Sequence, residues 1–187
     1  MMPVIRISDS TFIDLKSIST WMGTKTPADT IKQLVQEKMD NLDLEPESSN
    51  ELYELAECDD NILHFKETPG LTHTRVLSAK INNEKISKLN WGEVLLRTIE
   101  IIKNKGLSKE QLCAELQIGT EPYNYTDRGY KFYPKLGISI QGQSSPDAWK
   151  ESKRLAEKYN ITIEVTFQWR DKEGAQYRGK TGLIKVN

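Results

Sequence analysis

The chain contains few of the residues on which metal, redox and disulfide sites depend. Its 187 residues include two cysteines and two histidines. Cys58 and Cys113 are too few and too far apart to make a disulfide framework, so ordinary thiols are expected. His64 and His73 do not stand in a metal-ligand spacing. The sequence therefore predicts neither a bound metal nor another cofactor.

Motifs of the common enzyme classes are also missing. The glycines match neither a phosphate-binding loop nor a dinucleotide fingerprint. Glu164 lies in a strand-like run, but the Glu-x-Lys pair of many nucleases is absent because Thr166 stands where lysine is needed. Cys113 falls in the apolar stretch of a predicted helix, which favours a core thiol over a nucleophile. We therefore expect that the chain is not an enzyme.

Long apolar runs are absent as well. No run approaches the ~20 residues that span a bilayer. Arg6, Asp9 and Asp14 interrupt the N-terminal stretch in which a secretory signal needs an apolar core. The sequence predicts a cytoplasmic protein that has no membrane partner.

Charge is nearly balanced over the chain but unevenly distributed along it. The formal net charge is −1, and residues 1–39 carry +1. Residues 40–60 carry nine acidic residues and no lysine or arginine, whereas residues 61–187 carry +7. This distribution permits a nucleic-acid partner, although the total charge does not require one.

The same shifts in composition predict the domain organisation. Proline, serine and asparagine interrupt the acidic stretch between two segments with helical and strand-like patterns. The predicted parts are a small domain over residues 1–40, an acidic linker over 41–67 and a larger domain over 68–187.

The first forty residues predict one strand and two helices. Val4–Ser8 is strand-like, a helix follows from about Asp9 to Gly23, and Thr26 with Pro27 begins a second helix. A lone terminal strand has unpaired N–H and C=O groups, and about forty residues make a core too small to stand alone. We therefore expect a homodimer, built on a two-stranded antiparallel ribbon with one strand from each copy.

The larger domain alternates strand and helix patterns, and its first strand is expected after Gly70. Asn82-Asn83 suits a hairpin turn, and capping residues mark three helix starts. The predicted strands cover residues 74–81, 131–141 (interrupted by Pro134), 161–169 and 181–186, and the helices begin after Asn90, after Ser108 and at Ser145. The pattern predicts helices packed on a mostly antiparallel sheet.

Residues 2–40 resemble the ribbon-helix-helix family, which contains the Arc and MetJ repressors. The resemblance rests on the strand, on the Gly-Thr-Lys-Thr turn at 23–26 and on the helix from Pro27. With the pattern of the larger domain, the prediction is an α+β chain whose C-terminal α+β domain has a mostly antiparallel sheet. The resemblance implies an N-terminal ribbon-helix-helix dimerisation unit. It also implies that the chain regulates transcription or replication by binding double-stranded DNA.

In that family the outward side chains of the ribbon contact base edges, and the start of the second helix binds a phosphate. The resemblance assigns the base contacts here to Val4, Arg6 and Ser8. It assigns the phosphate contacts to Thr24, Lys25 and Thr26. Val4 departs from the pattern because an apolar side chain can contact a thymine methyl group but makes no hydrogen bond. Arg6 is therefore expected to carry most of the base recognition.

Basic residues in the larger domain suggest a second nucleic-acid surface. They are interleaved with tyrosine, phenylalanine and tryptophan, a combination that can bind phosphates and stack bases. The candidates are Arg128, Lys131, Arg170, Lys172, Arg178 and Lys180. An ordinary charged hairpin and a half-buried aromatic strand would give the same pattern.

Two alternative functions remain open, and they differ in which part of the chain binds a partner and in what that partner is. The order of parts is similar in outline to SeqA-type replication regulators, in which a ribbon-helix-helix-like unit self-associates and a separate C-terminal domain binds DNA. The ribbon would then serve only dimerisation. In the other alternative, the acidic linker or the C-terminal domain binds a protein.

Overall fold

The computed structural model of the chain describes residues 6–41 and 62–186. In these ranges the chain has five α-helices and eight strands, which places it in the predicted α+β class. The helices are α1 (Asp9–Met22), α2 (Pro27–Asn41), α3 (Trp91–Asn104), α4 (Lys109–Glu115) and α5 (Ser145–Tyr159). The strands are β1 (Leu63–Phe65), β2 (Thr74–Ile81), β3 (Glu84–Lys85), β4 (Thr120–Glu121), β5 (Tyr130–Tyr133), β6 (Ile138–Gln141), β7 (Ile163–Trp169) and β8 (Thr181–Val186).

The chain divides into two compact units, residues 1–42 and 43–187. Among the described residues, the first unit contains α1 and α2, and the second contains the eight strands and the other three helices. None of the described helices combines the length and the apolar character needed to cross a membrane.

Capping residues explain the limits of the two helices in the first unit. The side chain of Ser8 accepts a hydrogen bond from the Thr11 N–H at the start of α1, and Gly23 ends that helix in the left-handed region at φ 68°. The Thr26 hydroxyl accepts from the Asp29 N–H (3.2 Å) at the start of α2. The predictions that α1 ends at Gly23 and α2 begins at Pro27 are confirmed.

The second unit contains two sheets. A five-stranded sheet has the order β1-β8-β7-β2-β3, and a three-stranded sheet has the order β4-β6-β5. Every neighbouring pair is antiparallel except β1 and β8, which run parallel. The predicted mostly antiparallel sheet is therefore confirmed.

Three tryptophans lie in the core of the second unit, and each indole N–H has an acceptor. Trp91 donates to the Thr74 hydroxyl (2.9 Å) and Trp149 to the Thr68 hydroxyl (3.0 Å). Trp169 donates to a backbone carbonyl (2.8 Å). Because buried N–H groups without acceptors destabilise a fold, these bonds let the large rings be buried where α3 and α5 pack on the sheet.

The structure differs from the sequence expectations at two strands. The segment 131–141 is a hairpin of β5 and β6, because the chain turns between Pro134 and Gly137, where φ is 72°. The predicted linker 41–67 also includes residues 63–65, which form β1 and pair with β8. A strand therefore does precede Gly70, contrary to expectation, and it was missed because three residues are too short for a period-two pattern.

A β-bulge in β2 changes which side chains are buried. Strict alternation predicts that Val76 and Ala79 lie on opposite sides of the strand. The register shifts between Val76 and Ser78, and both Val76 and Ala79 are buried together with Ile81. The extra residue in the bulge is the physical reason for the wrong prediction.

Candidate nucleic-acid interface

The predicted base-contacting residues lie at the start of the first unit. Val4 falls outside the described residues. The described part of the predicted strand Val4–Ser8, residues 6–8, is not a strand in the single chain, and Arg6 is exposed there before α1. The Ser8 hydroxyl caps α1 and also bonds with the hydroxyls of Ser10 (2.9 Å) and Thr11 (2.8 Å). Of the described candidates, Arg6 therefore has the side chain best suited to a base edge.

The predicted phosphate site lies in the turn between α1 and α2. The Thr24 hydroxyl bonds with the hydroxyls of Ser19 (2.9 Å) and Thr30 (2.6 Å). The Thr26 hydroxyl donates to the Asp29 carboxylate (2.7 Å) while it caps α2. Both threonine hydroxyls thus hold the turn together. Lys25 is exposed between them and is the side chain most suited to a phosphate.

Large apolar side chains are exposed on both helices of the first unit. In the described part of this unit, only Leu15 and Thr30 are buried. Trp21 is 88% exposed and Ile13 is 63% exposed. The other large apolar side chains exposed here are Ile7, Phe12, Ile18, Ile31 and Val35. Exposed apolar area of this kind, on a unit with almost no core of its own, marks an association surface.

Four of the predicted basic residues lie together in the second unit. Arg170, Lys172, Arg178 and Lys180 all belong to the connection between β7 and β8. Backbone bonds hold that connection: the Lys172 N–H donates to the Arg170 carbonyl (2.9 Å), and the Gly179 N–H donates to the Trp169 carbonyl (3.1 Å). The connection is therefore an ordered basic hairpin.

Tyr177 supplies an exposed aromatic ring on this basic hairpin. Its centroid lies 5.0 Å from that of Trp169 and 5.7 Å from that of Phe65, yet 38% of the residue remains exposed. The neighbouring Gln176 side chain accepts from the Gly70 N–H. The ring is held in place while part of it stays open to a ligand.

Arg128 and Lys131 lie elsewhere, on the three-stranded sheet. Arg128 and Gly129 occupy a tight turn at φ 53° and 80°. Lys131 follows on β5, and the rings of Tyr125 and Tyr130 meet edge to face at 5.1 Å beside it. The six basic residues predicted as one surface thus fall on two different sheets.

Sequence reasoning missed a row of polar side chains on the five-stranded sheet. Arg75 donates to the Gln168 side-chain oxygen through Nε (3.1 Å) and Nη2 (2.6 Å). Lys80 (3.0 Å) and Lys185 both pair with Glu164 on β7. Lys185, and then Lys80, lower the pKa of Glu164 below its usual range. The sequence feature that could have predicted this row is the alternation of polar with buried residues along β7. This alternation places the polar side chains on the face of the sheet away from the core.

The described residues contain no group of three or more histidine, cysteine, aspartate or glutamate side chains that could hold a metal ion. Comparison with known proteins gives no family to which the chain can be assigned. No protein-family model, curated protein or solved structure matches it.

Proposed function

We propose that the chain is a homodimeric DNA-binding protein, a transcriptional or replication regulator, that contacts the major groove through an intersubunit β-ribbon. The observation that carries this proposal is the exposed apolar surface of α1 and α2. A second copy covers that surface and supplies the missing half of the core, and it also provides a strand to pair with the N-terminal residues.

Two basic side chains support DNA contact by this dimer. Arg6 precedes α1, and a twofold axis presents it twice to the major groove, where arginine binds guanine O6 and N7. Lys25 stands just before α2, whose N-terminal N–H groups favour an anion. Phosphate contact therefore rests on Lys25 and the backbone, while the two neighbouring threonines shape the turn.

The proposal is tested with Arg6→Ala in the full chain. A preferred duplex is first selected from a random pool, and affinities for it and for unrelated duplex are then measured by fluorescence anisotropy. We expect the variant to lose about 1–3 kcal/mol per base contact on the preferred duplex. Lys32→Ala, which also removes one exposed positive charge, is the matched control. Equal losses for the two variants would contradict base contact by Arg6.

A second candidate function is nucleic-acid binding by the basic hairpin, with the ribbon serving only dimerisation. The observation that favours it is the partly exposed Tyr177 ring among four basic residues. The double variant Arg178→Ala, Lys180→Ala separates the two functions in the same titration. If the hairpin is the principal site, this variant lowers the affinity for all duplexes and reduces the dependence of that affinity on salt concentration. Arg6→Ala then leaves the affinity unchanged.

A further inference from the structure

Lysines form a row across the face of the five-stranded sheet that points away from the core. Lys85 of β3 lies opposite Lys80 of β2, which lies opposite Glu164 of β7, and Glu164 lies opposite Lys185 of β8. Residues directly opposite one another in neighbouring strands share a face of the sheet. These four side chains, which we call the lysine row, therefore stand side by side across four strands.

The lysine row has more positive charge than its own carboxylate neutralises. Glu164 pairs with both Lys80 and Lys185, whose side chains nevertheless remain 44% and 49% exposed. Lys85 is also exposed, and it faces Lys80 directly. Like charges directly opposite in neighbouring strands repel each other. Three lysines against one glutamate leave a net charge of +2, and an anion bound along the row would reduce this repulsion.

The same face continues from the lysine row to the basic hairpin. The hydroxyl residues Ser78 and Thr166 lie opposite each other next along the strands, and Arg75 lies opposite Gln168 beyond them. Gln168 accepts hydrogen bonds from Arg75, and its amide donates to the Gly179 carbonyl of the hairpin (3.3 Å). Cations thus stand at both ends of this face, with hydroxyl groups that can donate to phosphate between them.

The chemistry of this face suits phosphates rather than bases. Phe167 and Trp169 of β7 are buried on the opposite face, and the described strands of this sheet present no aromatic ring here. Proteins that bind single strands commonly stack the bases on exposed rings. A duplex instead presents one charge per ~1.7 Å of its axis, and the lysine row spans about 14 Å, or three strand spacings. A rigid duplex lying along the row would place several phosphates within reach of the lysines.

We propose that the lysine row and the adjoining Arg75 bind the phosphate backbone of double-stranded DNA, whatever its sequence. Surface ion pairs are weak, so Lys80 and Lys185 can contact phosphates while Glu164 holds them in position. This inference rests on the proposed DNA-binding function and adds a contact to it. The ribbon supplies the preference for a sequence, and the sheet face adds affinity for every duplex.

The first test removes two cations with the double variant Lys85→Gln, Lys185→Gln, which keeps the pair of Lys80 with Glu164. Fluorescence anisotropy measures its affinity for the selected duplex and for unrelated duplex between about 50 and 200 mM salt. We expect the affinity for both duplexes to fall about tenfold, and the slope of log affinity against log salt concentration to become smaller by about 2. The control, Lys109→Gln with Lys150→Gln, removes the same charge from exposed positions on α4 and α5. Equal losses for the two double variants, or no loss for the first, would overturn the proposal.

The second test adds a cation to the same face. Ser78 is exposed between the lysine row and Arg75, so Ser78→Lys should raise the affinity for both duplexes and steepen the salt dependence by about 1. Asn104→Lys adds the same charge at the exposed end of α3 and is the control. Circular dichroism establishes that each variant is folded. A Ser78→Lys variant that binds no more tightly than Asn104→Lys would overturn the assignment of this face.

The ratio of the two affinities separates this proposal from the function of the ribbon. The lysine variants should leave the ratio of selected to unrelated duplex unchanged, whereas Arg6→Ala lowers it. Duplex binding that keeps its preference but does not respond to the lysine variants would overturn the sheet-face proposal and leave the ribbon intact. A wild type that binds no duplex would overturn both.

A labelled polyglutamate peptide of the same charge as the duplex tests the other kind of anionic partner. We expect it to bind more weakly than the duplex, because its charges are not fixed in a rigid array. Polyglutamate that binds as tightly as the duplex, with the same loss in the Lys85→Gln, Lys185→Gln variant, would assign the face to an acidic protein and overturn the proposal.

Discussion

At the scale of single residues, glycines in the second unit have opposite physical roles. A Cβ on Gly182 would lie 2.7 Å from Cζ of Phe167 and 3.0 Å from Cζ3 of Trp169. The aromatic rings of β7 therefore pack directly over the backbone of β8. Gly92 lies in the first turn of α3, where an added Cβ would meet only the Asn90 side-chain oxygen, at 3.4 Å. Alanine should therefore be accommodated at Gly92 and crowded at Gly182.

We predict that Gly182→Ala destabilises the protein by about 1–3 kcal/mol, the usual range for an overpacked core. Gly92→Ala should be neutral or slightly stabilising because of its better helix propensity. Urea unfolding followed by tryptophan fluorescence measures both. Equal stabilities for the two variants would mean that the rings over Gly182 move aside at little cost.

Thr74 has a similarly local role. Its buried hydroxyl accepts the Trp91 indole N–H and donates to the Leu71 carbonyl. We predict that Thr74→Val costs about 1–3 kcal/mol, because it leaves the buried Trp91 indole N–H without an acceptor, while the Leu71 carbonyl keeps the Thr74 N–H (3.3 Å). Thr166→Val, on the partly exposed side of β7, is the control and should change stability by less than about 0.5 kcal/mol. Thermal unfolding measures the melting temperatures of both variants. An equal decrease in melting temperature for the two would contradict this role for the Thr74 hydroxyl.

At the scale of elements, a charged cluster joins α4 to α5. Arg154 on α5 bonds with Glu151 (2.7 Å) and with the Glu115 side chain (3.2 Å) and carbonyl (2.7 Å). The nearly buried Glu151 also accepts the Gln117 N–H (2.9 Å). Lys158 pairs with Glu115 as well (2.7 Å). A helix as short as α4 is not stable alone. The cluster stabilises it by attaching its last residue, Glu115, to α5.

This cluster predicts a pH dependence. Hydrogen bonds from Lys158 and Arg154 lower the pKa of Glu115 in the folded protein. A lowered folded-state pKa stabilises the fold above the unfolded carboxyl pKa of about 4.3, and this stability is lost as the pH falls through the folded value. Glu115→Gln should therefore cost about 1 kcal/mol at pH 7 and much less at pH 3.

Urea unfolding at both pH values measures the difference. Glu84→Gln, at an exposed carboxylate on β3, serves as the control. A cost for Glu115→Gln that stays the same at pH 3 would show that its charge does not stabilise the junction.

Elements defined by local chemistry were predictable from the sequence, and those defined by distant pairing were not. Asn90 caps α3 through the Glu93 N–H (2.7 Å), and Ser108 begins α4 with a capping box, as their sequences indicate. The turn at Asn82-Asn83 also forms as predicted, with both residues at positive φ. By contrast, β1 depends on pairing with residues more than a hundred positions away.

The candidate sites follow the same rule. The basic hairpin was visible because its cations lie within eleven consecutive residues, 170–180. The polar row with Arg75, Lys80, Glu164 and Lys185 lies on three strands and became visible only through their register.

At the scale of the whole molecule, the two units differ in how much of their apolar surface they bury. The second unit has a continuous core with tryptophans of very low exposure. The helix pair leaves most of its large apolar side chains exposed within one copy. Self-association should therefore depend on the first unit.

We predict that Ile13→Asp shifts the full chain from dimer to monomer, because it places a charge in the apolar surface that the second copy covers. Ser17→Asp adds the same charge at an exposed polar position of α1 and should leave the dimer intact. Size-exclusion chromatography with light scattering gives the masses. A dimeric Ile13→Asp variant, or a monomeric wild type, would contradict the proposed dimer.

The parallel pairing of β1 with β8 also bears on mechanical load. Leu63 pairs with Gly182 and Phe65 with Ile184, so β1 begins at one end of this strand pair and β8 ends at the other. Tension applied between residue 62 and the C-terminus would slide the two strands along each other and load their hydrogen bonds together. The hairpin of β2 and β3 would instead open one bond at a time. Pulling between these two points therefore loads the β1–β8 pair in shear rather than by peeling.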